Sequence, residues 1–386
     1  MSDYWRDFDL SERKRKILNA FSNGPVVKAE DVPVIVSTGN YFGFGGRPRS
    51  REYWSNPAEM LRLQTAFQME HMLCVRDDMI PYFMPWFGTG VLASAFGCPV
   101  RHATGDSDDP AIAGPCVETP AQAARLSRPN HLRDGLMPQV LRCIDYALEH
   151  GDLPVGPSDL NSPLSTLAQI CGYENLFIWM YEEPQTVHEL MELVTEAFID
   201  WVKEMKRHTG EPSDASHVLQ GVWSPEGVGV WVSDDDLIAV GPDMYEEFVV
   251  PCYSRLFRTF SGGSLHFCGN GTQHLSNFRK IDGVRAINNS PMGNRLAFDT
   301  LVRGRPAGTM IQIQDNAPAE AYAYYKNLFA DTDDFSGIMV ATWVLDRVAM
   351  TADGGYLSVD WDPIEAANRT VTAIRQTAAE RMEAVR

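Results

Sequence analysis

The chain has 386 residues, 44% of them hydrophobic and 22% charged, enough for a large core in one or more domains. Lys and Arg number 33 against 51 Asp and Glu, a net charge of -18, which repels polyphosphates and argues against nucleic acid and anionic membrane as partners. The seven cysteines are scattered, odd in number and set mostly among apolar residues; with a polar N-terminus and no apolar run of about 20 residues, the expectation is a cytoplasmic protein with free, mostly buried thiols.

In chain order, residues 1–30 read as a polar N-terminal extension with one short helix capped by Ser11. Residues 31–386 read as one domain. Val32–Gly39 is an apolar run closed by glycine, a buried first strand whose exit loop carries Gly43-Phe44-Gly45-Gly46 and then Arg47, Arg49 and Arg51. Helices are expected from Pro57, Pro184, Pro242, Pro318 and Pro363, because proline suits the first helical position. The Pro184 helix places Val187, Leu190, Met191, Val194, Phe198, Trp201 and Val202 on one face. Pro251 predicts a kink in the Pro242 helix. Short apolar runs at Val218–Val222, Leu265–Cys268, Val284–Ile287, Met310–Ile313 and Ile338–Ala341 alternate with helices. That order implies parallel strands joined by right-handed crossovers, and the number of units favours a closed (β/α)8 barrel. No Gly-x-Gly-x-x-Gly follows the first strand, and no Gly-x-Ser-x-Gly, Walker loop or Cys-x-x-Cys occurs, which removes the best support for dinucleotide, hydrolase, nucleotide and dithiol chemistry.

Three stretches carry candidate chemistry. His266 and Cys268 stand two apart before Gly269-Asn270-Gly271. On a strand they share a face; imidazole and thiolate suit zinc, while the same spacing also fits a core histidine beside a buried apolar thiol. Asn270 and His274 add polar function nearby, with His274 expected to face outward. Asp77-Asp78 before Met79-Ile80-Pro81-Tyr82 fits a carboxylate at a pocket mouth or the solvated end of a helix, and Asp234-Asp235-Asp236 fits a cation site or a helix N-terminus. Arg47 and Arg49, with Arg51, fit either an anion clamp over a barrel mouth or solvated surface charge.

Taken together these stretches resemble the uroporphyrinogen decarboxylase superfamily, which includes zinc- and corrinoid-linked methyltransferases. The resemblance is carried by Asp78–Tyr82 with Gly88–Cys98, by Pro163-Leu164-Ser165-Thr166-Leu167-Ala168, by Pro242–Phe248 ending in Pro251, and most specifically by His266-Phe267-Cys268-Gly269. It implies a single (β/α)8 TIM barrel and a methyltransferase or demethylase. Such an enzyme moves a methyl group between a small methylated substrate or thiol and a corrinoid carried by a partner protein. Zinc would be held by His266 and Cys268, and a homodimer is expected. The resemblance also leaves open a cofactor-independent decarboxylase of a porphyrinogen or related polycarboxylate, with Asp78 at the pyrrole nitrogens and the arginines Arg47, Arg49 and Arg51 on the carboxylates; the expected substrate-binding residues are Arg47, Arg49, Tyr82 and Asn270. A non-catalytic tetrapyrrole- or corrinoid-binding protein is the third reading. The chain departs from the methyltransferase pattern in one respect: the late strand Gly337–Trp343 holds no cysteine. A third metal donor would have to be Asp346, Asp315 or an acid of Asp234–Asp236.

Overall fold

The computed structural model describes residues 8–38, 51–102, 109–213, 215–218, 222–345 and 347–385. Its centre is a six-stranded, wholly parallel sheet, consisting of β1 (Val34–Thr38), β2 (Val230–Ser233), β3 (Gly263–Cys268), β4 (Val284–Ser290), β5 (Met310–Ile313) and β6 (Ile338–Val344). Their spatial order is β1-β6-β5-β4-β3-β2. Val34, Ile35 and Val36 are all fully buried, as are Ile338 through Ala341. Such runs lack polar/apolar alternation because both faces of a parallel sheet are covered.

Two further extended segments flank this sheet. Asp78 N–H donates to Val34 O at 2.7 Å, Phe83 N–H donates to Pro154 O at 2.8 Å, and Gly156 N–H donates to Phe83 O at 2.9 Å. On the other side Ser162 N–H donates to Ser233 O, and Ser233 N–H donates to Leu160 O. The bridges Phe83–Val155 and Asn161–Ser233 are both parallel. Pro81, Pro85, Pro154 and Pro157 lie in these two segments and have no N–H to give a ladder. That is why each contributes isolated bridges rather than a full strand.

The helices cover the outside of the sheet. Helix α1 (Ser11–Phe21) buries Ile17, Ala20 and Phe21 in the main core, and the acceptor at its start is Asp9, to Ser11 N–H, rather than Ser11 itself. Helix α2 (Pro57–Cys74) is capped by Asn56, whose Oδ1 accepts from Ala58 N–H. Helix α3 (Pro163–Cys171) is capped by Ser162, and α4 (Pro184–Thr209) buries the expected face and stops at Gly210 with φ 72°. The Pro242 helix is broken into α5 (Pro242–Phe248) and α6 (Val250–Thr259), since Pro251 cannot donate and its ring crowds the preceding turn. The C-terminal α7 (Pro363–Val385) packs on β1 and β6.

Two expectations are corrected. The run Val218–Val222 is not a sheet strand: Ser216–Val218 and Val222–Ser224 form a separate antiparallel hairpin, and the parallel strand of this region is β2. The helix expected from Pro318 begins at Ala321, because Pro318 bridges Met350 and Ala319 N–H donates to Met350 O. Among the described residues no helix is long and apolar enough to cross a membrane.

Candidate functional site

His266 and Cys268 occupy the C-terminal end of β3 and share a face. The strand ends at Gly269, whose φ of 78° lies in the left-handed region that favours glycine. The next strand in the sheet, β2, leads directly into the acidic run. Asp234 N–H donates to His266 O at 2.8 Å, which places the following turn over the end of β3. Asp235 Oδ1 then accepts from Cys268 N–H at 2.8 Å and stands 3.4 Å from His266 Nε2. Cys268 Sγ is 3.6 Å from the same Nε2. One nitrogen, one sulfur and one oxygen donor from Asp235, His266 and Cys268 therefore lie within 4.8 Å of one another. That donor set and spacing suit a tetrahedral zinc ion with one position left open.

The surroundings orient these groups. His266 Nδ1 is 2.5 Å from Asn288 Oδ1. A neutral ring that donates from Nδ1 keeps the Nε2 lone pair directed at the other two donors. The Trp231 indole stacks on the ring at 5.4 Å and 14°. Burial pushes the His266 pKa down, but Asp235 and Cys268 outweigh it and hold the pKa well above the ordinary value. The Asp235 side chain is half exposed; partial burial pushes its pKa up, and the His266 hydrogen bond and charge, with the Cys268 N–H, bring it below the ordinary carboxylate range.

The three consecutive acids have three separate fates. Asp234 is fully buried, with Oδ1 accepting from Ser162 Oγ–H at 2.8 Å and Oδ2 from Tyr245 O–H at 2.9 Å. Burial pushes its pKa up to about 7 against the pull of Tyr253, Ser162 and Tyr245. Asp235 faces His266 and Cys268. Asp236 interacts with Ser165 and Tyr173, and burial raises its pKa. The run is neither a joint cation site nor a side-chain cap.

Asp159, which sequence reasoning did not single out, is buried and interacts electrostatically with both His266 and Asp235; burial pushes its pKa up to about 7. The remaining expected residues lie elsewhere. Asp78 is buried at the start of β1, accepting from Val34 N–H and Lys16 Nζ at 3.0 Å each, with Arg375 at 3.5 Å. In a parallel sheet that is the end opposite Cys268. Tyr82 is fully buried in the extended segment after Asp78. Asn270 Oδ1 accepts from Thr272 N–H and Oγ–H, forming the turn after Gly269. His274 is buried rather than outward, 2.8 Å from Leu237 O, because the turn from β2 packs on top of it. Asp315 accepts from Ser290, Met292 and Tyr324, apart from the trio. Arg47, Arg49 and Asp346 lie outside the described residues. The sequence offers Asp235 only as one acid of the run Asp234–Asp236 and does not say which of the three faces His266 and Cys268.

The sequence profile of the uroporphyrinogen decarboxylase (URO-D) family matches residues 14–210. The chain belongs to this family. A relative, the methylated-thiol–coenzyme M methyltransferase of Methanosarcina mazei, is 25% identical over 197 residues, 50% of this chain and 47% of the relative. The match thus spans about half the length of that relative. In three dimensions the chain is similar to a methyltransferase from Methanosarcina mazei, with a TM-score of 0.64 and 17% identity, covering 95% of this chain and 99% of the other. That likeness supports the fold over almost the whole chain. Both of these proteins are methyltransferases. The family match ends before Asp235, His266 and Cys268, so the trio is an independent observation.

Proposed function

We propose that this protein is a metal-assisted methyltransferase that moves a methyl group between a small thiol or methylated substrate and a corrinoid held by a partner protein. The observation that carries the reading is the Asp235–His266–Cys268 trio at the C-terminal end of a parallel strand. The methyltransferase relatives support the reaction class. Asp235 takes the place of the thiol missing from the late strand. We also read the flanking segments around Phe83 and Val155–Asn161 as two further staves that close the sheet into an eight-membered barrel, with the trio at its mouth. Their parallel bridges support this, and it is the face where such folds carry their sites.

Asp235, His266 and Cys268 would hold zinc, which as a Lewis acid lowers the pKa of a bound thiol or polarises a methylated heteroatom. Asn288 fixes the His266 ring and its tautomer. Trp231 covers one face of that ring and keeps water from it. Burial raises the Asp159 pKa to about 7, a value suited to proton exchange near neutrality. The buried position of Asp78 among cations at the far end of β1 gives the decarboxylase reading no support.

The test is metal analysis of protein purified without chelator, followed by incubation with methylcobalamin and a series of thiols while the cobalt–methyl absorbance is monitored. One zinc per chain and thiol-dependent demethylation are expected, both lost in His266→Ala. No stoichiometric zinc, together with unchanged turnover in His266→Ala, would sink the reading.

A further inference from the structure

The sheet face that carries the trio holds more polar surface than the trio uses. Ser233, His266, Asn288 and Gln312 are register partners across β2, β3, β4 and β5. Register partners in a parallel sheet project from the same face. Asn288 is 0% exposed and Gln312 1%. Asn288 Oδ1 is committed to His266 Nδ1, which turns its amide nitrogen away from the ring. That nitrogen has no partner, and neither has Gln312 Nε2. Two residues beyond Gln312, and so on the same side of the chain, Gln314 is buried with its Oε1 unpartnered.

A buried polar atom left unpaired forfeits its hydration without compensation, and an apolar side chain of like shape would avoid that cost. A single such atom is an imperfection. Two donors and one acceptor at neighbouring positions of one face, adjoining the metal donors, form a complementary set. The charge of the surroundings selects among ligands. Asp235 and Asp159 act on this face, and the register partners Ser233, His266, Asn288 and Gln312 include no Lys or Arg. A carboxylate or sulfonate would meet the Asp235 carboxylate without a cation from this row. A neutral group with a doubly accepting oxygen and an N–H would satisfy all three amide atoms.

Building on the methyl-transfer reading, we propose that Asn288, Gln312 and Gln314 form the head-group subsite beside the trio, and that it takes a small thiol or thioether ending in a primary carboxamide. The carbonyl oxygen accepts from Asn288 Nδ2 and Gln312 Nε2, and the amide nitrogen donates to Gln314 Oε1. The sulfur end of the same molecule lies toward Asp235, His266 and Cys268.

The experiment is calorimetric titration of the full-length, zinc-assayed protein with 3-mercaptopropanamide, 3-mercaptopropionate and propanethiol, repeated on Gln312→Met. The carboxamide is expected to bind at least about tenfold more tightly than either of the others, the ratio that roughly one satisfied hydrogen bond supplies. In Gln312→Met the preference shrinks while Tm stays level or rises, because an unpaired buried amide has been removed. Binding of the propionate as tightly as the amide in the wild type overturns the subsite, and so does an undiminished preference in Gln312→Met. The zinc assay on the same samples separates the two levels. Absent zinc, together with unchanged turnover in His266→Ala, overturns the methyl-transfer reading, whereas zinc and thiol binding without an amide preference overturn only the subsite.

Discussion

The Asp235 carboxylate is held in the trio by a backbone N–H as much as by charge. Its Oδ1 is held by Cys268 N–H, so the carboxylate is fixed at the strand end. Removing it leaves two protein donors. Asp235→Ala is therefore expected to lower zinc affinity by more than about 100-fold, beyond the roughly 10–100-fold that loss of an outer partner such as Asn288 would cost; competition with a chromogenic chelator measures both. Asp159 gives a pH prediction. Its folded pKa of about 7 lies above its ordinary 3.8, so its contribution to stability is fully present below about pH 4 and is lost as pH rises through about 7. Asp234 shifts in the same direction and Asp235 in the opposite one, so one substitution isolates one share. Asp159→Asn should be more stable than the wild type at about pH 8, by on the order of 4 kcal/mol at most, with the gap closing toward about pH 4, as denaturant unfolding at the two pH values would measure. A gap that is constant with pH would show that Asp159 does not titrate between those limits.

At the scale of elements, the turn after β2 is what builds the site, and Asp234 anchors it. Ser162 at the start of α3 and Tyr245 in α5 both donate to Asp234, tying two helices to the turn that presents Asp235. Tyr245→Phe removes one donor at a cost of about 0.5–1.5 kcal/mol. It should weaken zinc binding without touching a ligand, which thermal unfolding with and without zinc would reveal. This arrangement also explains what the sequence could tell. His266-Phe267-Cys268-Gly269 was legible because both donors lie on one strand and period-two spacing puts them on one face. Asp235 was visible only as one of three acids, since its role depends on which strand lies beside β3, a fact of register that local pattern does not contain. Asn288 and Gln312 were hidden for the same reason. The parallel α/β class was legible from Val34–Val36 and Ile338–Ala341, whereas the segments around Phe83 and Val155 were obscured by the prolines that break their ladders. His274 was misread because a polar residue after a strand looks solvated until the β2 turn covers it.

At the scale of the molecule, the two ends of the sheet do different work. The C-terminal ends of β2 and β3 gather Asp235, His266 and Cys268. The N-terminal end of β1 gathers Lys16 from α1, Arg375 from α7 and the carboxylate of Asp78, which also accepts from Val34 N–H. This cluster joins the first described helix, the last helix and the first strand, so it stabilises the sheet by linking segments nearly 360 positions apart (Lys16 and Arg375). Side-chain exposure is 4% for Asp78 and 11% for Lys16. Removing the acid from such a pair leaves a buried cation uncompensated, at a cost of about 3–5 kcal/mol. Asp78→Ala is accordingly expected to lower the denaturant midpoint sharply. Below that midpoint the folded variant should hold zinc and bind thiols as the wild type does, because the cluster lies at the opposite end of the strands from Cys268. A decarboxylase built on Asp78 gives the reverse pattern, with stability near that of the wild type and substrate turnover abolished. Equilibrium unfolding and zinc titration of the one variant therefore discriminate between the two.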